Sequence, residues 1–361
     1  MPNAVNSAFV GLALASIALP TIGHANDYDI SGDTSTGVFG NFFGGASRRV
    51  TVRFTKEDLT ARSKLQKDFI QKLIKWRYGS RSRLTRVLVA KVDAHYQGAI
   101  RDKFIAQIRE RHPEIWPFGL YVDRMVERIA RILKESKSDG QHSFAVTIPK
   151  NWFVKPGEMS IVIEVVKDRV PHVDVYQIMP KGGRERVFTT LAAPGNFYQS
   201  FGTPNGIMYA SRFIHAPRWY PCATKWAKET CRQPRGLNTA FGLGGIDLTR
   251  RDYLVGYGPK WGNGTVSPYL IHSTNSYASP GRYASHGCVR IYPHKADDLF
   301  AGLKHYFAEP GKGKTRDFGD IFPFGKTIPV LLGSPAQLVH YRRQLRQRLD
   351  EKREKQSAQD D

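Results

Sequence analysis

Cys288 stands in the run Ser285-His286-Gly287-Cys288-Val289-Arg290, and His272 closes the apolar run Tyr269-Leu270-Ile271 ahead of Ser273 and Thr274. A thiol becomes a strong nucleophile once a base takes its proton, and imidazole is matched to that task near neutral pH. These residue types point to covalent catalysis by sulfur, through a thiolate–imidazolium pair. Gly287 adds no side chain, so a substrate can come close to the turn. The backbone N–H groups of His286, Gly287 and Cys288 are candidates to converge on the oxygen of a tetrahedral intermediate. Two imidazoles compete for the role of base: His286, nearer in sequence, and His272, arriving from a separate strand. A metal site built from His272, His286, Cys288 and His294 lacks the standard zinc spacing, so no metal and no cofactor is expected. The signature around a papain-like nucleophile is also absent.

The other two cysteines, Cys222 and Cys231, lie close together in a polar stretch. In an oxidising compartment such a pair could be bridged, leaving Cys288 as the odd free thiol. The N-terminus agrees with that compartment. Phe9 to Gly23 is a short apolar run, and small residues at Gly23 and Ala25 suit cleavage after Ala25. The reading is a signal peptide over residues 1–25 and export to the periplasm or cell envelope, although the leading stretch has no Lys or Arg. No cysteine near Ala25 offers a lipid anchor, and no transmembrane anchor is expected elsewhere.

Of the 361 residues, 41% are hydrophobic and 12% aromatic, which excludes a disordered or collagen-like chain. The net charge is +22, and residues 46–140 alone hold 23 Lys and Arg against 11 Asp and Glu. A surface this basic faces an anion, such as an envelope polymer. Nucleic acid is not favoured, because no zinc-finger spacing, aromatic RNA-binding motif or glycine-rich phosphate loop accompanies the charge.

The chemistry needs a scaffold, and hydrophobic periodicity outlines one. After a Gly- and Ser-rich arm at 32–46, helical spacing runs from Thr55, where Thr55 and Asp58 form a capping pair, through Leu59, Leu65, Phe69, Leu73 and Trp76. Helices are expected again over 83–111 and 122–134, the latter with Val122, Met125, Val126, Ile129, Ile132 and Leu133 on one stripe. From residue 144 the period changes to that of strands: 144–148, 160–166, 172–178, 187–191, 269–272 and 327–332. A helix over 296–307 interrupts the series, and a charged helix over 337–355 follows it with Leu338, Tyr341, Leu345 and Leu349 on one stripe. The fold class is α+β, a mainly β sandwich or barrel preceded by a basic helical domain. The expected division is signal peptide 1–25, linker or arm 26–54, helical domain 55–143, catalytic domain 144–333 and C-terminal helix 334–361.

The motifs also carry a resemblance. His272-Ser273-Thr274, a spacer and Ser285-His286-Gly287-Cys288-Val289-Arg290 are similar to the signature of the YkuD-type L,D-transpeptidases. Thr203-Pro204-Asn205-Gly206 and Lys326-Thr327-Ile328-Pro329-Val330 resemble further segments of that family, and the likeness covers about residues 147–332. It implies Cys288 as nucleophile, His272 as its base, and Ser273 orienting that imidazole through its backbone carbonyl. The amides of His286, Gly287 and Cys288 would form the oxyanion hole. Tyr269, Ser285, Arg290 and Trp219 would meet substrate, with Arg290 either bracing the loop or binding a carboxylate. Pro217 to Pro221 is similar to the family's Trp-bearing cap, which a Cys222–Cys231 bridge would stiffen. The implied substrate is a peptidoglycan tetrapeptide stem, whose acyl group passes to an amine. Hydrolysis on the same fold, and a non-catalytic basic envelope-binding protein, are the alternatives.

Overall fold

The structure is a computed structural model of the chain. It describes residues 26–30, 48–59, 71, 74–75, 79–86, 98–117, 119–155, 157–179, 183–196, 202–217, 241, 244–250, 269–316 and 319–360. The signal-peptide reading of residues 1–25, the arm at 32–46, and Trp219, Cys222 and Cys231 lie outside the described residues.

Among the described residues the first elements are strands β1 (Asn26–Asp29) and β2 (Arg48–Phe54). Helices α1 (Gly98–Arg111) and α2 (Gly119–Glu135) follow, and then strand β3 (His142–Ile148). β3 is the centre of a three-stranded sheet, parallel to β1 and antiparallel to β2. The stretch 26–54, expected as a linker or arm, therefore contains two strands. In β2 the alternation that makes a half-buried strand is explicit: Val50, Val52 and Phe54 are buried while Arg49, Thr51 and Arg53 face out. Helix α1 covers the open edge of β2. The Arg53 N–H donates to Gln107 Oε1 at 2.7 Å and Gln107 Nε2 donates back to the Arg53 carbonyl at 2.9 Å, so a glutamine stands in for a neighbouring strand. The expected capping pair is present through its acidic member: Asp58 Oδ2 accepts from the Thr55 N–H at 2.8 Å.

The second sheet is assembled from β4 (Ile161–Val166), β5 (His172–Ile178), β6 (Arg184–Ala193), β7 (Gly206–His215) and β8 (Gly244–Asp247). The short β9 (Thr249–Arg250), then β10 (Leu270–Ser273) and β11 (Val289–Ile291), precede helix α3 (Pro293–Phe307). Strands β12 (Lys314–Arg316) and β13 (Gly319–Gly333) and helix α4 (Pro335–Asp360) complete the chain. The order β13-β4-β5-β6-β11-β10-β8-β7 closes on itself because β7 also pairs with β13, giving an eight-stranded barrel. Only the pairs β4/β13 and β10/β11 are parallel in this ring. Closure buries the inner face and neighbouring segments cover the outer one, as the C-terminal helix covers Val162 and Val166, so β4, β8 and β10 have no exposed residue. The first expected strand, 144–148, belongs to the small sheet, and the barrel begins at β4.

One hydrophobic core runs through both sheets. α1 contributes Ile100, Phe104 and Ile108, and α2 contributes Val122, Met125, Val126, Ile129 and Leu133, at helical spacing. α3 starts at Pro293, a favoured first helical residue because its missing N–H would have no partner there anyway, and buries Ala296, Leu299, Leu303 and Phe307. α4 is capped reciprocally by Ser334 and Gln337 and lays Leu338, Tyr341 and Leu345 on Val162, Val166 and Leu331. Arg342 locks it down with a bidentate pair to the buried Glu164 at 2.7 and 2.6 Å. Leu349, expected on the same stripe, is 48% exposed, because the packed part of the helix ends at Leu345. No helix among the described residues is long and apolar enough to cross a membrane.

A buried ionic cluster ties the N-terminal helices to α3. Asp298 on α3 pairs with Arg101 of α1, and Lys295 reaches Asp123 of α2 at 2.6 Å. Gly119, the first residue of α2, has no room for a side chain, since a Cβ there would lie 2.9 Å from Phe188 and 3.0 Å from Asp298. Asp298 thus sits at the positive end of α2. Removing one partner of a buried pair leaves an uncompensated charge, so Arg101→Met is expected to lower the unfolding free energy by about 3 kcal/mol. R101M combined with D298L should regain most of that loss in denaturant titrations. Equal losses in the single and double variants would contradict the assigned cause.

Candidate functional site

The register of two short parallel strands builds the site. In β10 and β11, Ile271 lies opposite Val289, His272 opposite Arg290, and Ser273 opposite Ile291. Side chains alternate along a strand, so Leu270 and His272 share one face with Cys288 and Arg290, while Ile271, Val289 and Ile291 enter the main core. β8 extends the same face with Gly245 opposite His272 and Asp247 opposite Leu270. A side chain at Gly245 would crowd the imidazole, its Cβ falling 3.0 Å from that of His272. Phe241 meets the imidazole edge-on at 4.9 Å and packs, as Cys288 does, against Ile214 and Leu270. Asp247 is buried and fully engaged, accepting from the Ser211 N–H, the Ser211 hydroxyl and the Arg212 N–H at 2.9–3.0 Å.

His272 is 2% exposed, and its Nδ1 bonds the backbone carbonyl of Ser273. A carbonyl oxygen only accepts, so Nδ1 carries the proton and the Nε2 lone pair is the basic one. Burial pushes the imidazole down to about 3, helped by the positive charge of Arg290 and opposed by the Ser273 carbonyl. Burial also pushes the Cys288 thiol up, against the Leu270 N–H and Arg290, which favour the thiolate. Both effects favour uncharged forms. Together they favour a neutral thiol beside a neutral imidazole over the expected thiolate–imidazolium pair.

The turn before Cys288 is stapled internally. Ser285 Oγ accepts the Gly287 N–H at 3.2 Å and donates to the Cys288 carbonyl, and Gly287 adopts φ +110°, a conformation suited to glycine. The loop is tied to the residues after β6: the Ala284 and Ser285 N–H groups donate to the Pro194 carbonyl, and the Asn196 N–H donates to the Ser285 carbonyl. Arg290 Nη1 donates to the Ala284 carbonyl at 3.3 Å, which is the bracing alternative of its two expected roles. Thr203 Oγ1 bonds both Gly195 and Gly287, and Lys167 Nζ holds the Thr203–Asn205 turn.

Of the residues singled out from the sequence, His272, the Ser273 carbonyl, Cys288 and Arg290 come together. Ser285 is 2% exposed and is engaged in the turn, while the Gly287 N–H is directed at Ser285 Oγ. His286 is exposed, and Tyr269 is half-buried against the main core. His294 stacks on Tyr292 at 5.7 Å. Among the described residues no group of three or more His, Cys, Asp or Glu could hold a metal ion. Sequence reasoning missed Lys167, Gly245, Asp247 and Phe241. The Gly244-Gly245 doublet, tight against the Phe213 and His272 side chains, was the one signal that could have marked a crowded strand.

With the thiol protonated at rest, alkylation of Cys288 by iodoacetamide, followed by peptide mass, should climb with pH through and beyond the ordinary thiol value of 9.0. A rate already flat between about pH 5 and 8 would instead reveal a preformed thiolate.

Residues 162–315 match the family model of YkuD, the L,D-transpeptidase catalytic domain. That span runs from β4 to β12 and contains both His272 and Cys288. No curated protein matches the chain. Most of the barrel closed around β10 and β11 thus lies in the span, residues 162–315, that is similar to the YkuD L,D-transpeptidase catalytic domain.

Proposed function

We propose that this protein is an exported L,D-transpeptidase that acts on peptidoglycan tetrapeptide stems through a Cys288 thioester. Cys288 Sγ attacks the carbonyl of the third stem residue as its proton passes to His272 Nε2. The tetrahedral oxyanion collapses, the bond to the terminal D-Ala breaks, and the imidazolium returns the proton to the departing amine. An acceptor amine then attacks the thioester carbonyl and loses a proton to His272. The thiolate leaves and is reprotonated, so the enzyme returns to its neutral state. The Ser273 carbonyl holds the imidazole in the tautomer that both halves require.

The observation that carries this reading is the β10/β11 register, which sets His272 and Cys288 on one sheet face inside the span that matches the family. Arg290 suits the same cycle, because its charge discourages a lasting imidazolium and so favours handing the proton on.

Incubation of the full chain with defined tetrapeptide muropeptides, resolved by mass, should release D-Ala and join the acyl group to an added amine. Release without joining would redirect the reading to hydrolysis. Cys288→Ala should lose all acyl adduct, both with muropeptide and with a carbapenem-type β-lactam, while keeping its fold. Adduct formation retained in C288A would refute Cys288 as the nucleophile.

A further inference from the structure

Thr203 has no exposed surface, and its hydroxyl is doubly engaged. Thr203 Oγ1 accepts the Gly195 N–H at 2.6 Å and donates to the Gly287 carbonyl at 2.7 Å. The Gly287 carbonyl and the Cys288 N–H belong to one planar peptide unit and point in opposite directions. A hydroxyl that holds the carbonyl therefore decides where the N–H of the nucleophile residue points. Without it, glycine at φ +110° leaves that peptide unit free to swing. Thr203 is held in turn by Lys167, the residue that follows β4. Lys167 Nζ donates to the carbonyl of Thr203, to that of Pro204 at 3.4 Å and to Asn205 Oδ1 at 2.7 Å. Lys167 is itself 8% exposed, and its backbone N–H bonds the Gly333 carbonyl at 2.8 Å, so the anchor belongs to the barrel wall.

We propose that Thr203, fixed by Lys167, is a positioning residue that aims the Cys288 N–H at the oxygen of the acyl carbonyl under attack. The Gly287 N–H is committed to Ser285 Oγ, so the amide of Cys288 is the one that this brace can preorganise. The inference rests on Cys288 being the acylated residue. It makes a demand that general packing does not: the brace matters when a carbonyl oxygen gains charge, and not when the sulfur attacks a carbon that forms no oxyanion.

The test compares two reactions of Cys288 in the full chain, acylation by tetrapeptide muropeptide or carbapenem and alkylation by iodoacetamide across pH. Thr203→Val removes the hydroxyl at nearly constant shape. It should slow acylation by about 100-fold, the scale on which one oxyanion donor acts, with the alkylation profile unmoved. Thr203→Ser keeps the hydroxyl and should retain most of the wild-type acylation rate. Lys167→Met should move acylation in the same direction by a smaller factor, again without moving alkylation. Wild-type acylation in T203V overturns the inference, as does an equal fall in both reactions. If T203V does not fold, K167M decides: slowed acylation with unchanged alkylation supports the brace, and unchanged acylation overturns it. Absence of any acyl adduct on the wild-type chain, by contrast, is a failure of the Cys288 reading itself.

Discussion

The parallel pairing of β10 with β11 is the constraint from which the chemistry follows. Two strands of four and three residues hold an imidazole and a thiol on one face only while His272 stays opposite Arg290. A slip of one residue would turn Cys288 and Arg290 into the core and Val289 out to the site. Parallel neighbours cannot be joined by a tight turn, so the pair depends on what flanks it. β8 holds the outer edge of β10, and β6 holds the outer edge of β11. Closure of the barrel through β7 and β13 leaves this block of strands no free edge along which to shift.

The electrostatics follow from where that face lies. Packing Phe241, Leu270 and Ile214 around the sulfur and imidazole limits their contact with water, and both groups are shifted toward their neutral forms. A neutral pair is the inexpensive state where burial weakens solvation, yet the same burial strengthens any dipole aimed at a charge that develops during reaction. Arg290 acts on the two groups unequally, favouring a thiolate while opposing an imidazolium. Its guanidinium is also part of the loop, through the Ala284 carbonyl. One residue thereby links the electrostatics of Cys288 to the shape of the turn before it.

How much of this could be read from residues alone differs by element. The amphipathic stripe of α2 and the clean alternation of 172–178 were legible because one period dominates each segment. His272 and Cys288 were legible as candidate residue types in order, although the strand register that sets them on one face was not. β2 went unread despite Val50, Val52 and Phe54, because the Gly-rich stretch before it outweighed a seven-residue alternation. The neutral resting state could not be inferred at all, since it depends on burial by Phe241 and by residues from three other strands. Lys167 lies just past the strand expected over 160–166, and only the fold brings Thr203–Asn205 beneath its ammonium group.

The N-terminal helices belong to the same argument, through α3. A single residue, Tyr292, separates β11 from α3, so whatever fixes α3 also fixes the strand that follows Cys288. α3 is fixed by a buried carboxylate, Asp298, which satisfies Arg101 of α1 and lies at the N-terminus of α2. Such a pair adds little net stability over an apolar contact of the same shape, because removing both charges from water costs about as much as their attraction returns. What it does impose is a single arrangement, since any other docking of α1 would strand a charge in the core. Phe188 of β6 fills the space beside the same glycine of α2, so the helices also press on the strand that pairs with β11. The basic N-terminal segment is therefore built into the support of the candidate site: it contacts both neighbours of β11, α3 along the chain and β6 across the sheet.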